Sequence, residues 1–322
     1  MIKETNKKQQ YSIEFDTWDF KEKAAVKSVD EPGDDVDALK FSEDTNIYYM
    51  SFGSGSSGNS CYIGTDKEGI IIDAGVKPDD IASWLRVNGV SMDRVKAVCL
   101  THDHADHVRF AYNLVRKYKH IKVYCTNRTL NGIFRRHNVS KRIKDYHIPI
   151  FKEIPFKIGK FELTAFDVPH DGEDNVGFSI KVKEKTFVVA TDLGKVAERA
   201  YHYMSQANYL MIEANYDVEM LRLGPYPEYL KARIQMDNGH LDNADTAKFL
   251  KEIINPSLKY IFLCHLSKDN NTPEKAVETV RNALTEEGLT VGYAQETIED
   301  RKANVQLMAL PRYEPSRWFV LK

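Results

Sequence analysis

Residues 95–108 read VKAVCLTHDHADHV. The first six, Val95 to Leu100, form an apolar run with β-branched residues, the composition of a buried strand. The next seven place His102, His104, Asp106 and His107 in one short segment, before helical spacing begins near Val108. Imidazole nitrogens and carboxylate oxygens are the ligands that zinc and its neighbours among the divalent metals prefer, and a strand-end loop aims several of them at one point. The segment predicts a metal site where a strand ends. A polar surface loop is the alternative, and it leaves the three histidines at this spacing without a role.

Short apolar runs separated by turns flank this segment: IYYMSF from Ile47, CYIGT, GIIIDAG, IKVYCT, FELTAFDV, VGFSIKV, KTFVVATD, YLMIEAN, YIFLCHL and TVGYA. Their β-branched and aromatic content predicts strands. Between them DDIASWLRVNG, DHVRFAYNLVRKY, NADTAKFLKEII and TPEKAVETVRNALTEEG space apolar residues near 3.6 and predict helices. Strands mixed with helices over residues 45–322 imply an α/β or α+β sandwich whose sheets are covered by helices. Residues 1–44 have a different texture, with 7 Lys/Arg against 12 Asp/Glu (net −5), scattered aromatics and an EPGDD turn. They read as an acidic N-terminal extension ahead of one domain at 45–322.

Composition bounds the function. At 42% apolar and 29% charged residues the chain builds a sizeable core and is neither disordered nor fibrous. The start, Met1-Ile2-Lys3-Glu4, lacks the apolar core of a signal peptide, and no apolar run approaches a membrane span, so a soluble, cytoplasmic protein without a membrane partner is expected. Cys61, Cys99, Cys125 and Cys264 lie far apart with no CxxC pair, the pattern of buried, reduced thiols. Cys264 adjoins His265, but successive strand side chains face opposite ways, so the two should not share a site. Beyond residue 44, 38 basic residues face 35 acidic ones, net +3. That balance carries no strong basic footprint, and any case for a nucleic-acid substrate has to come from the site.

HxHxDH after a strand resembles the signature of the metallo-β-lactamase superfamily. Later segments match its other motifs in order: His170 in DVPHDGED, Asp192 in VVATDLG and His265 in IFLCHLS. The resemblance covers nearly all of residues 45–322 and implies an αββα four-layer sandwich. It further implies two divalent metal ions, zinc or manganese, one on His102, His104 and His170 and the other on Asp106, His107 and His265, with Asp192 touching both. Such a pair activates water and stabilises the attacking and leaving oxygens of a displacement, and Asp106 is counted with the catalytic group as well as with the ligands. Asp73 in IIIDAG is expected either to orient the ligand loop through hydrogen bonds or to serve as a strand-end turn carboxylate. His120, His137, His147 and His202 match nothing.

The superfamily holds β-lactamases, thioester hydrolases, phosphodiesterases and nucleases, so fold does not settle substrate. Glu213 in YLMIEANYD and His240 in MDNGHLDNADTA resemble the Glu and His of the HEAT and HST motifs of tRNase Z, a pair that handles the leaving-group proton. A glutamate beside a histidine favours the imidazolium that a general acid requires. The alternatives are a strand-end carboxylate and a loop cap. As a whole the chain resembles the YycJ/WalJ-type branch, whose members look like metal-dependent DNA exonucleases, through SFGSGSSGNSCY, THDHADH, IEANYD, GHLDNADTA and HLSKDNNTPEKA. It departs at Asp242, where a serine is common. Only 72 residues separate Asp192 from His265, too few for the inserted domain of β-CASP nucleases, and no Gly/Pro-rich arm like that of tRNase Z is visible. The expectation is a compact phosphodiesterase or exonuclease on nucleic acid, DNA before RNA, with a small-metabolite hydrolase or a non-catalytic metal-binding module as the alternatives. Ser57 and Asn59 in the Gly/Ser loop, and Lys231 and Arg233 in PEYLKARIQ, are the candidate substrate contacts. A flexible hairpin and a solvated helix face account for them otherwise.

Overall fold

The computed structural model describes residues 46–293 and 297–321, so the extension expected at residues 1–44 lies outside the described residues. In chain order the strands are β1 (Ile47–Gly53), β2 (Ser60–Gly64), β3 (Gly69–Ile72), β4 (Val95–Cys99), β5 (Lys122–Cys125), β6 (His147–Pro149), β7 (Phe156–Ile158), β8 (Phe161–Asp167), β9 (Val176–Val182), β10 (Lys185–Ala190), β11 (Tyr209–Glu213), β12 (Tyr260–Cys264), β13 (Val291–Gly292), β14 (Val305–Ala309) and β15 (Phe319–Leu321). They form two sheets, β15-β1-β2-β3-β4-β5-β6 and β13-β14-β12-β11-β10-β9-β8-β7. Each sheet changes character midway. Pairing is antiparallel from β15 to β3 and parallel from β3 to β6. In the second sheet it is antiparallel from β7 to β10 and parallel from β10 through β11, β12 and β14 to β13. Parallel neighbours need crossover connections, most often helices, and ligand sites form beyond the carboxyl ends of such strands.

Period-two alternation splits each strand between two cores. Tyr49, Ile70, Ile72, Ala97 and Cys99 of the first sheet meet Phe178, Phe187, Val189, Tyr209, Met211 and Phe262 of the second in the core between the sheets. The intervening residues face outward. Ile71 and Val98 pack against Ile81 and Leu85 of helix Pro78–Val87, Leu114 and Val115 of helix Ala111–Lys117, and Leu130 and Ile133 of helix Asn127–Arg136. Val188, Leu210, Ile212 and Ile261 pack against Met204 of helix Glu198–Met204, Leu250 of helix Asn243–Ile253 and Val280 and Leu284 of helix Pro273–Glu286. The four layers are therefore helix, sheet, sheet, helix, as the resemblance implied.

Two local expectations change. The segment DHVRFAYNLVRKY forms two helices, Ala105–Val108 and Ala111–Lys117, because the Phe110 N–H donates to the Ala74 carbonyl (2.9 Å) and the chain breaks helical geometry there (φ −110°, ψ 8°). Strands β6, β7, β14 and β15 were not expected. Three of them have only three residues, and β14 is drawn into the sheet by its parallel partners β12 and β13.

All four cysteines are free and buried, and burial pushes every thiol up. Cys61, Cys99 and Cys264 sit between the sheets, so Cys264 points into the core. Native protein should therefore leave all four thiols unreacted with a water-soluble disulfide reagent, whereas guanidinium should release four per chain. Fast labelling of even one thiol in the native state would contradict this packing.

Candidate metal centre

The site is built where parallel strands end level with one another. In the second sheet Ala190 of β10 pairs with Ile212 of β11, and Glu213 pairs with Cys264 of β12, which brings Asp192, Glu213 and His265 to one height. In the first sheet Ile72 pairs with Cys99, and Asp73 donates its N–H to the Cys99 carbonyl (2.8 Å), so Asp73 lies beside the start of the Thr101–His107 loop. The Val176 N–H donates to the Thr101 carbonyl (3.0 Å), and the His265 N–H donates to Ser54 Oγ (2.9 Å), tying the two sheets together at this end. Asp73, Asp192 and His265 all adopt left-handed backbone conformations (φ 60°, 52° and 53°). That geometry costs a non-glycine residue about 1–2 kcal/mol; Glu153 and Lys183, away from the site, share it. Gly75 passes so close to the ligand loop that a Cβ there would run into the Asp106 carbonyl.

Each expected ligand histidine has one ring nitrogen anchored. His107 Nδ1 donates to Asp73 Oδ2 (2.7 Å). His102 Nδ1 lies 3.0 Å from Thr101 Oγ1, which in turn donates to Asp73 Oδ2 (2.9 Å). His170 Nδ1 donates to the Gly239 carbonyl (3.0 Å), and His265 Nδ1 donates to Glu213 Oε1 (2.8 Å). His104 is turned the other way: its Nε2 faces Asp171 Oδ1 at 3.4 Å, and its Nδ1 lies 3.3 Å from His170 Nε2. A far nitrogen held by a carboxylate, hydroxyl or carbonyl selects the tautomer and aims the other lone pair at an ion. Those lone pairs converge. Ligand atoms of His102, His104 and His170 lie within 4.8 Å of one another, as do those of Asp106, His107 and His265, and those of His102, His107 and Asp192. Two of these groupings coincide with the two ion sites that the resemblance implies, a third joins them through Asp192, and a fourth gathers Asp192, Glu213, His240 and His265.

The donor set fits divalent metal. His102 Nε2 and His265 Nε2 are buried and have no hydrogen-bond partner. Burial holds His102, His104 and His170 below the ordinary imidazole range, His104 down to about 4, which keeps their lone pairs free at neutral pH. Burial also opposes charge on His107 and His265, but Asp192 and its neighbouring carboxylates outweigh it, and His265 is raised to about 10. Burial acts to raise Asp106 and Asp192, and adjacent imidazoles override it and hold both below the usual carboxylate range. The cluster thus draws positive charge into its centre, and a divalent ion supplies it without protonating the ligands.

Glu213 is fully buried and serves two histidines at once: Oε1 accepts from His240 Nδ1 (2.8 Å) as well as from His265, and Oε2 accepts from the Leu193 N–H (2.9 Å). Its link to His265 was not expected, since nothing along the chain ties residues 52 apart. His240 is held up by Glu213 against burial, and its ring packs 5.1 Å from His170 and 5.2 Å from His265. Asp242 accounts for the departure from serine: its side chain accepts from the Ala244 and Asp245 N–H groups and caps helix Asn243–Ile253, a task serine also performs. A cleft of about 210 Å³ opens over these residues, lined by Ser56, His170, Arg233, His240 and His265 among others.

The four expected substrate contacts divide. Arg233 lines the cleft, with its Nε donating to Asp171 Oδ2 (3.0 Å). Ser57 is exposed beside Ser56, its hydroxyl 3.5 Å from the Arg312 carbonyl. Asn59 is buried against the ligands and outside the cleft lining: its Oδ1 accepts from the Gly55 N–H (2.7 Å), and its Nδ2 lies 3.0 Å from Asp106 Oδ2 and 2.9 Å from His107 Nε2, the nitrogen that would face an ion. The Lys231 ammonium is held by the Arg222 carbonyl (2.9 Å) and Glu228 (3.0 Å), and the residue is not among those lining the cleft. Among the four histidines that matched nothing, His137 Nε2 donates to the Asp103 carbonyl (2.6 Å) behind the ligand loop.

A model of the Beta-lactamase superfamily domain matches residues 69–263. The chain is similar to the exodeoxyribonuclease YycJ of Bacillus anthracis, 32% identical over 256 residues that cover 78% of this chain and 94% of that protein. It is similar also to the exodeoxyribonuclease WalJ of Streptococcus pneumoniae serotype 2 (strain D39), 35% identical over 245 residues, 76% of this chain and 90% of that one. Among solved structures, the metallo-β-lactamase fold protein YhfI from Bacillus subtilis superposes with a TM-score of 0.61 over 86% of this chain and 100% of its own, at 13% identity, a likeness of fold alone. By its ligand motifs, its four layers and these relatives, the chain belongs to the metallo-β-lactamase superfamily, in the YycJ/WalJ branch.

Proposed function

We propose that this chain is a metal-dependent exodeoxyribonuclease that works with two divalent ions, zinc or manganese. The observation that carries the reading is the Glu213–His240 pair, set against the metal-ligand cluster at the floor of the cleft. A phosphodiester in nucleic acid expels a sugar alkoxide, a poor leaving group that needs a proton. The curated relatives are named exodeoxyribonucleases, which supports DNA as the polymer. A cytoplasmic location belongs to the proposal and is supported by four unpaired cysteines. No helix among the described residues is long and apolar enough to cross a membrane.

In this reading His102, His104 and His170 would hold one ion and Asp106, His107 and His265 the other, with Asp192 available to both. When bound, the ions supply Lewis acidity, activate water for attack on phosphorus and offset charge on the phosphoryl oxygens. The chain's own groups do the rest. Asp73 and Thr101 keep His107 and His102 in the right tautomer, and Asn59 braces Asp106. Glu213 occupies Nδ1 of His240, so the proton that reaches the leaving oxygen comes from Nε2, and the buried carboxylate stabilises the imidazolium until it is given up.

Reconstituted protein should contain two equivalents of metal by elemental analysis, and Asp192→Ala should lower that number. One equivalent in both proteins argues against the binuclear assignment. His240→Ala should retain its metal and lose roughly 10²- to 10⁴-fold activity on end-labelled DNA, while keeping most of its activity on bis(p-nitrophenyl) phosphate, whose nitrophenolate leaves unaided. Equal losses on the two substrates, or loss of metal, would remove the general-acid role. Residues 1–44 are proposed as an extension apart from the hydrolase domain: a chain beginning at residue 45 should bind metal and cleave DNA as the full chain does, and a folded, metal-loaded but inactive truncation would assign the extension to the site.

A further inference from the structure

The segment between β14 and β15 carries a cation that the ligand set and the acid–base pair leave unused. Arg312 is half-buried, and its Nη2 donates to the carbonyl of Leu266, the residue after His265 (2.5 Å). Its guanidinium lies 5.7 Å from the centre of the Tyr313 ring and directly beneath Gly55, where a Cβ would come within 2.8 Å of Nη1. The Gly/Ser loop is therefore kept bare above this group. That loop is part of the site: Ser54 receives the His265 N–H, the Gly55 N–H is held by Asn59, and Ser56 lines the cleft.

Arg312 is partly buried against that loop and has no carboxylate ion pair among the described residues. Arg136 is paired with Asp103, Arg233 with Asp171, Arg135 with Glu173, Arg199 with Glu153 and Arg222 with Glu219. Asp269, in the same neighbourhood, accepts from the Tyr226 hydroxyl instead (3.0 Å). Burial lowers the pKa of this guanidinium, with Tyr313, Tyr226, Asp269 and Asp106 acting in the other direction, and one carbonyl, that of Leu266, takes only part of its donors. A planar fork with unspent donors beside a phosphoryl-transfer cleft matches the geometry of a phosphate.

We infer that Arg312 binds a backbone phosphate of the nucleic-acid substrate adjacent to the scissile one, on the side of the cleft formed by the Gly/Ser loop. The inference rests on the exodeoxyribonuclease reading. It separates polymer from small substrate, because a diester with a single phosphate has nothing to place at Arg312.

Steady-state kinetics of the metal-loaded full chain at several salt concentrations test it. Arg312→Gln should raise KM for a single-stranded oligodeoxynucleotide roughly tenfold with kcat nearly unchanged, and reduce the slope of log(kcat/KM) against log[salt] by about one. Metal content should match wild type, any loss on bis(p-nitrophenyl) phosphate should be small beside the loss on DNA, and Arg312→Lys should restore the salt slope. An unchanged KM and slope in a variant that still cleaves DNA overturns the phosphate assignment alone. Parallel losses on both substrates, or loss of metal, show instead that Arg312 clamps the Gly55 loop to Leu266. A wild-type chain that does not cleave DNA removes the exodeoxyribonuclease reading and this inference with it.

Discussion

The hydrogen bond from a ring nitrogen of an imidazole to a buried carboxylate organises this molecule's functional end. An imidazole has two nitrogens, and a histidine coordinates well only if the fold has committed one of them elsewhere. Here Asp73 commits His107 directly and His102 through Thr101, and Glu213 commits both His265 and His240. Two buried carboxylates, one at the end of β3 and one at the end of β11, thus set four of the six histidines around the cleft. They also divide the labour: one sits in each sheet, and the cluster forms only when the sheets are face to face.

This arrangement carries stored cost. Three non-glycine residues, Asp73, Asp192 and His265, take left-handed backbone angles where their strands end, and carboxylates and imidazoles are crowded together. The repayment comes from the core between the sheets, where Tyr49 packs on Phe262 (4.4 Å) and Phe187 (5.0 Å). The strain is functional in a simple geometric sense: a left-handed turn redirects the side chain from the sheet face toward the space beyond the strand end.

The cleft shows how few of the charged residues near a site are available to substrate. Arg233 reaches the cleft but holds Asp171, and Lys231, two residues earlier, spends its ammonium on its own helix and the carbonyl of Arg222. Asn59 is buried against the ligands. Position along the chain does not separate these cases, because each depends on which acceptor the side chain meets in three dimensions.

By itself the amino-acid sequence determined the strands, the long helices and the HxHxDH segment, while the four layers and the full ligand set came with the family resemblance that its motifs carry. Alternating apolar runs dictate strands, 3.6 spacing dictates the long helices, and HxHxDH names residues that gather at a strand end, because local pattern and side-chain chemistry are properties of the chain. Short strands such as β6 and β15 were not legible, since three residues hold no period and exist only through their neighbours. Tertiary structure alone decided which nitrogen of each histidine faces the cluster, that Glu213 holds His265 as well as His240, that Asn59 lies buried against the ligands, and that Arg312 arrives beside Gly55 from 257 residues away. Those outcomes rest on contacts between segments far apart in the chain, and the register of parallel strands that sets them is fixed by packing between sheets.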